Sequence, residues 1–118
     1  MHEAVKQDSF ASMLEAVQAF HDKHRFNEKW GEDLAYRVAL MAEELGEISA
    51  CVTKGRGVDC LSEECADLMI LLLGTAISAD FDLSQAFWRK IDVLGARQGR
   101  VIDGRMRVSE FDDGEVGS

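Results

Sequence analysis

The sequence lacks proline and has only three cysteines among its 118 residues. Without proline, no residue interrupts a helix by removing a backbone donor, which favours long helices. The cysteines, Cys51, Cys60 and Cys65, are odd in number and form no CxxC pair. A zinc site is therefore not expected, and we expect three reduced, packed thiols. The longest apolar run, residues 68–74, is far shorter than the roughly 20 residues that cross a bilayer, so no membrane span is predicted.

Basic residues are scarce relative to acidic ones. The chain has 13 Lys and Arg against 22 Asp and Glu, which gives a net charge of −9. Nucleic acid is not an expected partner, because neutralising phosphates requires clustered basic side chains. Residues 1–10 are polar and mixed in charge, unlike a signal peptide, and this predicts a cytoplasmic protein. The length fits one domain, and an apolar fraction of 47% argues against disorder.

Apolar residues recur at helical spacing in four segments, which predicts an all-α, four-helix bundle-like domain over residues 1–98. The helices are expected at residues 9–25, 32–53, about 59–79 and 83–97, with Asp59 or Ser62 capping the third. The core stripe of the second helix is expected at Leu34, Val38, Met41, Leu45, Ile48 and Val52. Residues 99–118 are predicted to form a C-terminal arm, either a loop or a short extended pair, with residues 112–118 disordered.

The third helix is apolar on every side, since residues 68–73 cover all directions around a helix within two turns. A helix of this kind has to be surrounded by other structure, and three neighbouring helices do this poorly in so small a domain. We therefore predict a homo-oligomer, either a dimer or a tetramer, with this helix near its centre. The alternative is that the first helix and the C-terminal residues cover its outer side.

Two acidic motifs lie on the second and third helices: Glu43, Glu44 and Glu47 on one, and Glu64 and Asp67 on the other. If the helices form an antiparallel hairpin about the 55–56 bond, facing residues have position numbers that sum to 111. This register pairs Glu44 with Asp67 and Glu47 with Glu64, beside an apolar stripe. Four carboxylates at one level repel one another and attract divalent cations, and their oxygen ligands favour Mg²⁺ or Mn²⁺. Taken singly, each of these residues is typical of a solvated helix face.

The motifs resemble the signature of the all-α nucleoside triphosphate pyrophosphatases, the MazG-like superfamily. That signature reads EExxE, a spacer and ExxD, and here the spacer has 16 residues. The resemblance covers about residues 10–97, with the same helix order. It implies Mg²⁺-dependent hydrolysis of a (d)NTP between the α and β phosphates, which gives a monophosphate and pyrophosphate and serves nucleotide-pool house-cleaning.

The resemblance also implies roles for the acidic residues. Glu44, Glu47, Glu64 and Asp67 match the family's metal ligands. Glu43 matches its first Glu, which orients the attacking water or makes an outer-sphere contact. Either Glu43 or Glu47 is expected to accept the proton of that water, and the sequence does not distinguish them.

Substrate contacts are expected outside the acidic helices. Lys90 matches a basic residue of the family that meets the phosphates, and Arg97 lies two turns further along the same helix face. Many relatives carry an Asn where this chain has Leu94, which leaves the details of substrate recognition open. Trp30, just before the second helix, is a candidate for stacking on the base, and Asn27 for reading its edge. The alternative for Trp30 is a packing role at the helix entry.

A non-catalytic function competes with the enzyme. In that interpretation the chain is an acidic helical adapter or regulator whose carboxylates hold a structural divalent ion. The basic stretch 97–107 and the acidic residues of 110–115 would then be partner surfaces. Nucleotide binding that depends on metal separates the two functions.

Overall fold

The computed structural model describes residues 8–109. These residues are mostly helical, as predicted: four α-helices are followed by two short antiparallel strands, which are the extended pair, one of the two alternatives predicted for the C-terminal arm. The elements are α1 (Phe10–Lys23), α2 (Leu34–Thr53), α3 (Val58–Ala79), α4 (Leu83–Ala96), β1 (Gly99–Ile102) and β2 (Arg105–Val108). Within the described part, no helix is long and apolar enough to cross a membrane.

The chain divides after Phe81 into two compact units. The first contains α1, α2 and α3, and the second contains α4 and the two strands. The predicted disorder of residues 112–118 lies outside the described residues.

Short polar side chains set three of the four helix starts. The side chains of Ser9, Asp33 and Asp82 accept hydrogen bonds from the backbone N–H three residues on, which satisfies a donor that the first turn leaves unpaired. The predicted cap of α3 is wrong. This helix begins after Gly57, which has no side chain to cap it and whose φ of +93° suits glycine.

A disulfide joins α2 to α3 and corrects the expectation of three reduced thiols. Cys51 and Cys60 are bonded with their Cα atoms 5.9 Å apart, whereas Cys65 is free and exposed. The register that pairs Glu44 with Asp67 also pairs Cys51 with Cys60, so the sequence carried a signal for this bond. Because disulfides are typical of oxidising compartments, the cytoplasmic location stays a prediction.

The core of the first unit is small and partly polar. Val17, Cys51, Leu73 and Ala76 are its buried apolar residues, and His21 and Arg37 are buried with them. The predicted core stripe of α2 is largely wrong: Leu34, Val38, Leu45 and Val52 are exposed, whereas Met41 and Ile48 are half-buried. The inward face of α2 is instead the one that carries Arg37, Glu44 and Cys51, because these residues contact α3.

The two strands form a hairpin with separated faces. Asp103 and Gly104 both have positive φ angles, as the two central residues of a type I′ turn require. The register pairs Arg100 with Arg107 and Val101 with Met106. Because side chains alternate along a strand, one face of the hairpin is rich in arginine and the other is apolar.

Candidate metal centre

Three carboxylates converge between α2 and α3. Glu44 on α2, and Glu64 and Asp67 on α3, each offer an oxygen atom, and these atoms lie within 4.8 Å of one another. Glu44 and Glu64 are half-buried and Asp67 is exposed. Glu64 and Asp67 are three residues apart on one helix face, so both can reach Glu44 on α2. The predicted approach of Glu44 to Asp67 is therefore found, and Glu64 also lies close to Glu44.

This proximity changes the acidity of Glu44. The pKa of Glu44 is raised from 4.5 to about 7, first by the carboxyl hydrogen bond with Glu64, then by partial burial and by the charges of Glu64, Asp67 and Glu47. The protonated group is favoured because it removes one of several close negative charges. A bound cation would relieve the same repulsion.

The donor set fits a hard divalent cation. Among the described residues, Oε1 of Glu44 is buried and has no hydrogen-bond partner, although carboxylate oxygens at buried positions are normally paired. Three carboxylates within reach of one point supply the oxygen ligands that Mg²⁺ and Mn²⁺ accept. The cluster contains neither His nor Cys, the usual ligands of zinc.

Two predicted acidic residues lie outside this group. Glu47 is exposed and acts on the group through its charge, which contributes to the raised pKa of Glu44. Glu43 is also exposed. Both side chains are accessible to water, which suits the role of proton acceptor that the sequence left open between them.

Trp30 and Asn27 lie together in the segment between α1 and α2. Trp30 is 82% exposed, so among the described residues it does not pack as a helix-entry residue. It lines two shallow grooves: one of about 470 Å³ with Lys29, Asp33 and Tyr36, and one of about 360 Å³ that also includes Asn27. An exposed aromatic ring beside an amide side chain can stack on a base and bond to its edge.

The predicted phosphate contacts belong to the second unit. Lys90 is exposed on α4, and Arg97 is half-buried at the end of that helix. Leu94, which stands at the family's Asn position, is half-buried.

Arg37, which is buried beside Gly74, is not among the residues that the sequence predicts for the site. The hairpin register contained a signal for this contact, because it places Gly74 opposite Arg37. Hydrophobic periodicity could not reveal it, since a charged residue counts as solvent-facing in such a pattern.

No family model, curated protein or solved structure matches the chain.

Proposed function

We propose that this chain is a MazG-like, Mg²⁺-dependent nucleoside triphosphate pyrophosphohydrolase that cleaves a (d)NTP between its α and β phosphates, with Mn²⁺ as a possible substitute ion. The observation that carries the proposal is the convergence of Glu44, Glu64 and Asp67 across two helices. A buried Glu44 oxygen without a partner among the described residues supports it. The EExxE and ExxD motifs supply the same residues from the sequence.

Glu44, Glu64 and Asp67 would hold the ion, and Glu47 would complete the set from the next turn of α2. Bound Mg²⁺ supplies positive charge toward the phosphates and acidifies a water molecule. Glu43 or Glu47 accepts the proton of the attacking water. The water oxygen forms a bond to the α-phosphorus, the bond from that phosphorus to the bridging oxygen breaks, and pyrophosphate leaves with the electron pair.

Other residues would bind the substrate. Trp30 stacks on the base and Asn27 bonds to its edge. Lys90 and Arg97 stabilise the charge that develops on the leaving pyrophosphate.

A homo-oligomer, dimer or tetramer, belongs to the proposal. Several large apolar side chains of the first unit are exposed: Leu34, Val38, Leu45 and Val52 on α2, and Met69, Ile70 and Leu72 on α3. Apolar surface of this extent on two adjacent helices is typical of an interface between protein chains. A second copy of the α2–α3 pair would cover it.

The decisive experiment is a panel of ribo- and deoxynucleoside triphosphates, including phosphoribosyl-ATP, incubated with the purified chain and Mg²⁺ or Mn²⁺. We expect pyrophosphate release from at least one substrate. Glu64→Gln should lower the rate by at least about 100-fold, because it removes a ligand charge. Glu63→Gln is the matched control, since Glu63 is an exposed neighbour outside the cluster, and it should retain the rate.

Two results would contradict the proposal. One is the absence of pyrophosphate release from every nucleotide with both ions. The other is calorimetry in which the chain binds Mg²⁺ and ignores a non-hydrolysable nucleotide, a result that favours the adapter with a structural ion.

A further inference from the structure

The Arg37 side chain ties three parts of the first unit together. It is 1% exposed, and its guanidinium donates hydrogen bonds to the carbonyl of Gly31 at 3.0 Å, the carbonyl of Leu71 at 3.1 Å and the Thr75 hydroxyl at 3.1 Å. All three acceptors are neutral. Burying a charged group is costly unless its donors are satisfied, and the planar fork of arginine can meet several fixed acceptors at once.

One of these acceptors anchors the segment that carries Trp30. The Gly31 carbonyl directly follows Trp30, and the Gly31 N–H donates to the Phe26 carbonyl at 2.9 Å. The Phe26 ring in turn packs on His21 with 4.5 Å between ring centroids. Trp30 itself has a φ of +61°, a conformation that a bulky residue adopts only when its surroundings hold it there. The segment is thus closed on itself and fixed at Gly31 by Arg37.

The other two acceptors link this segment to the carboxylate cluster. Leu71 and Thr75 lie one and two helical turns beyond Asp67 on α3, and Arg37 lies two turns before Glu44 on its own helix. One side chain therefore fixes the backbone beside Trp30 relative to both acidic helices.

Gly74 makes room for this arrangement. A Cβ atom at this position would lie 2.6 Å from Nε2 of His21 and would collide with Nη2 of Arg37. Only glycine lets α1 and α2 bring these two buried side chains against α3 at this point.

We propose that Arg37 is a positioning residue for the nucleotide base: it holds Trp30 at a fixed distance from the carboxylate cluster. This inference rests on the proposed function. It assigns to Arg37 an effect on base binding and none on metal binding or on the chemical step.

The test uses the full chain carrying Trp88→Phe, so that Trp30 is the only tryptophan. Time-resolved fluorescence anisotropy then reports the motion of Trp30, while steady-state kinetics and Mg²⁺ calorimetry report the site. Arg37→Met removes the guanidinium, and Arg37→Lys keeps the charge without the fork. Gly74→Ala displaces the guanidinium, and Gly46→Ala is its control, because a Cβ atom on Gly46 meets nothing within 4 Å.

We expect the fast component of the Trp30 anisotropy to be larger in both Arg37 variants and in Gly74→Ala than in the parent, because the backbone beside Trp30 is then no longer held. KM should rise about tenfold, as expected when stacking on the base is lost, while kcat and the Mg²⁺ affinity change less than about threefold. Gly46→Ala should match the parent. If Arg37→Met fails to fold, the comparison of Arg37→Lys and Gly74→Ala with the parent still decides.

Three results would overturn the inference: the same Trp30 anisotropy in the parent and in the Arg37 and Gly74 variants, full recovery in Arg37→Lys, or a loss of kcat and Mg²⁺ affinity with KM and anisotropy unchanged. If no nucleotide is hydrolysed, the proposed function fails, whereas a gain of Trp30 motion in the variants would still support the positioning role of Arg37.

Discussion

The Glu44→Gln substitution is expected to stabilise the metal-free chain at pH 8 and to have little effect near pH 5. The pKa of Glu44 is raised from 4.5 to about 7 in the folded protein, so the folded state holds this proton more tightly than the unfolded chain does. The associated stability is fully present below about pH 4.5 and is lost as the pH rises through about 7. Glutamine imitates the protonated group at every pH and avoids this loss.

The expected magnitude follows from the shift. Raising a pKa from 4.5 to about 7 corresponds to roughly 3 kcal/mol at a pH above both values. Asp67 and Glu47 are exposed, and solvent screens their charges, so we expect Glu44→Gln to raise the free energy of unfolding at pH 8 by about 1–2 kcal/mol. Urea unfolding in the presence of a chelator measures this difference.

His21 makes the free energy of unfolding depend on pH with the opposite sign. Burial, and then the charge of Arg37, lower the pKa of His21 below 6.5, so its contribution to stability is present above pH 6.5 and lost as the pH falls through the lowered value. His21 is present in both the parent and Glu44→Gln, so its contribution cancels when their free energies of unfolding are subtracted. Glu63→Gln should show no comparable difference. Equal effects of Glu44→Gln at pH 5 and pH 8, or destabilisation at pH 8, would refute the reasoning.

Three further outcomes are expected. Mg²⁺ binding near pH 7 should release about half a proton per ion, because Glu44 is then about half protonated. Calorimetry in two buffers of different ionisation enthalpy measures this proton release. The same binding heat in both buffers would contradict the prediction. Replacing Cys51 and Cys60 by serine should lower the free energy of unfolding in urea by about 2–3 kcal/mol, because a short loop is no longer closed, whereas Cys65→Ser should change nothing. Leu45→Glu, which places a charge on the proposed interface, should shift the chain toward monomers in sedimentation velocity, whereas Val101→Glu should not. A parent that is monomeric at every concentration would exclude the oligomer.

The sequence predicted the helices and the level of the carboxylates for a simple physical reason. Helical rise is constant, so a short glycine turn between two helices fixes which residues face each other. The register that follows from this turn brings Glu44 to Asp67. It did not anticipate that Glu64 approaches Glu44 instead of Glu47. Helix rotation about its own axis decides that detail, and rotation depends on side-chain packing that a register does not contain.

The core face of α2 could not be predicted in the same way. Periodicity identifies the side of a helix that has to be buried, but it does not say whether the same chain or another copy buries it. Leu34, Val38 and Leu45 form such a side and are exposed here. The burial of Arg37 depends on the backbone carbonyls of Gly31 and Leu71, and backbone acceptors carry no signal in a hydrophobic pattern.

The contacts between α2 and α3 explain how a repulsive cluster persists at their centre. Three contacts recur at seven-residue spacing along the pair: Arg37 at Gly74, Glu44 at Asp67 and Cys51 at Cys60. Successive levels are thus about 10 Å apart along the helices.

The two outer levels hold the helices together: the Arg37 guanidinium donates hydrogen bonds to α3 at one, and a disulfide joins α2 to α3 at the other. At the central level the like charges of the carboxylates repel each other. Because both ends are fixed, the two helices cannot move apart at this level, and a proton or a cation lowers the repulsion there. At about 100° per residue, Val38, Leu45 and Val52 each lie one position beyond an α2 residue of these three levels, so these exposed apolar side chains occupy a neighbouring face of α2. The proposed metal site and the proposed contact with a second copy would therefore use different faces of the same helix.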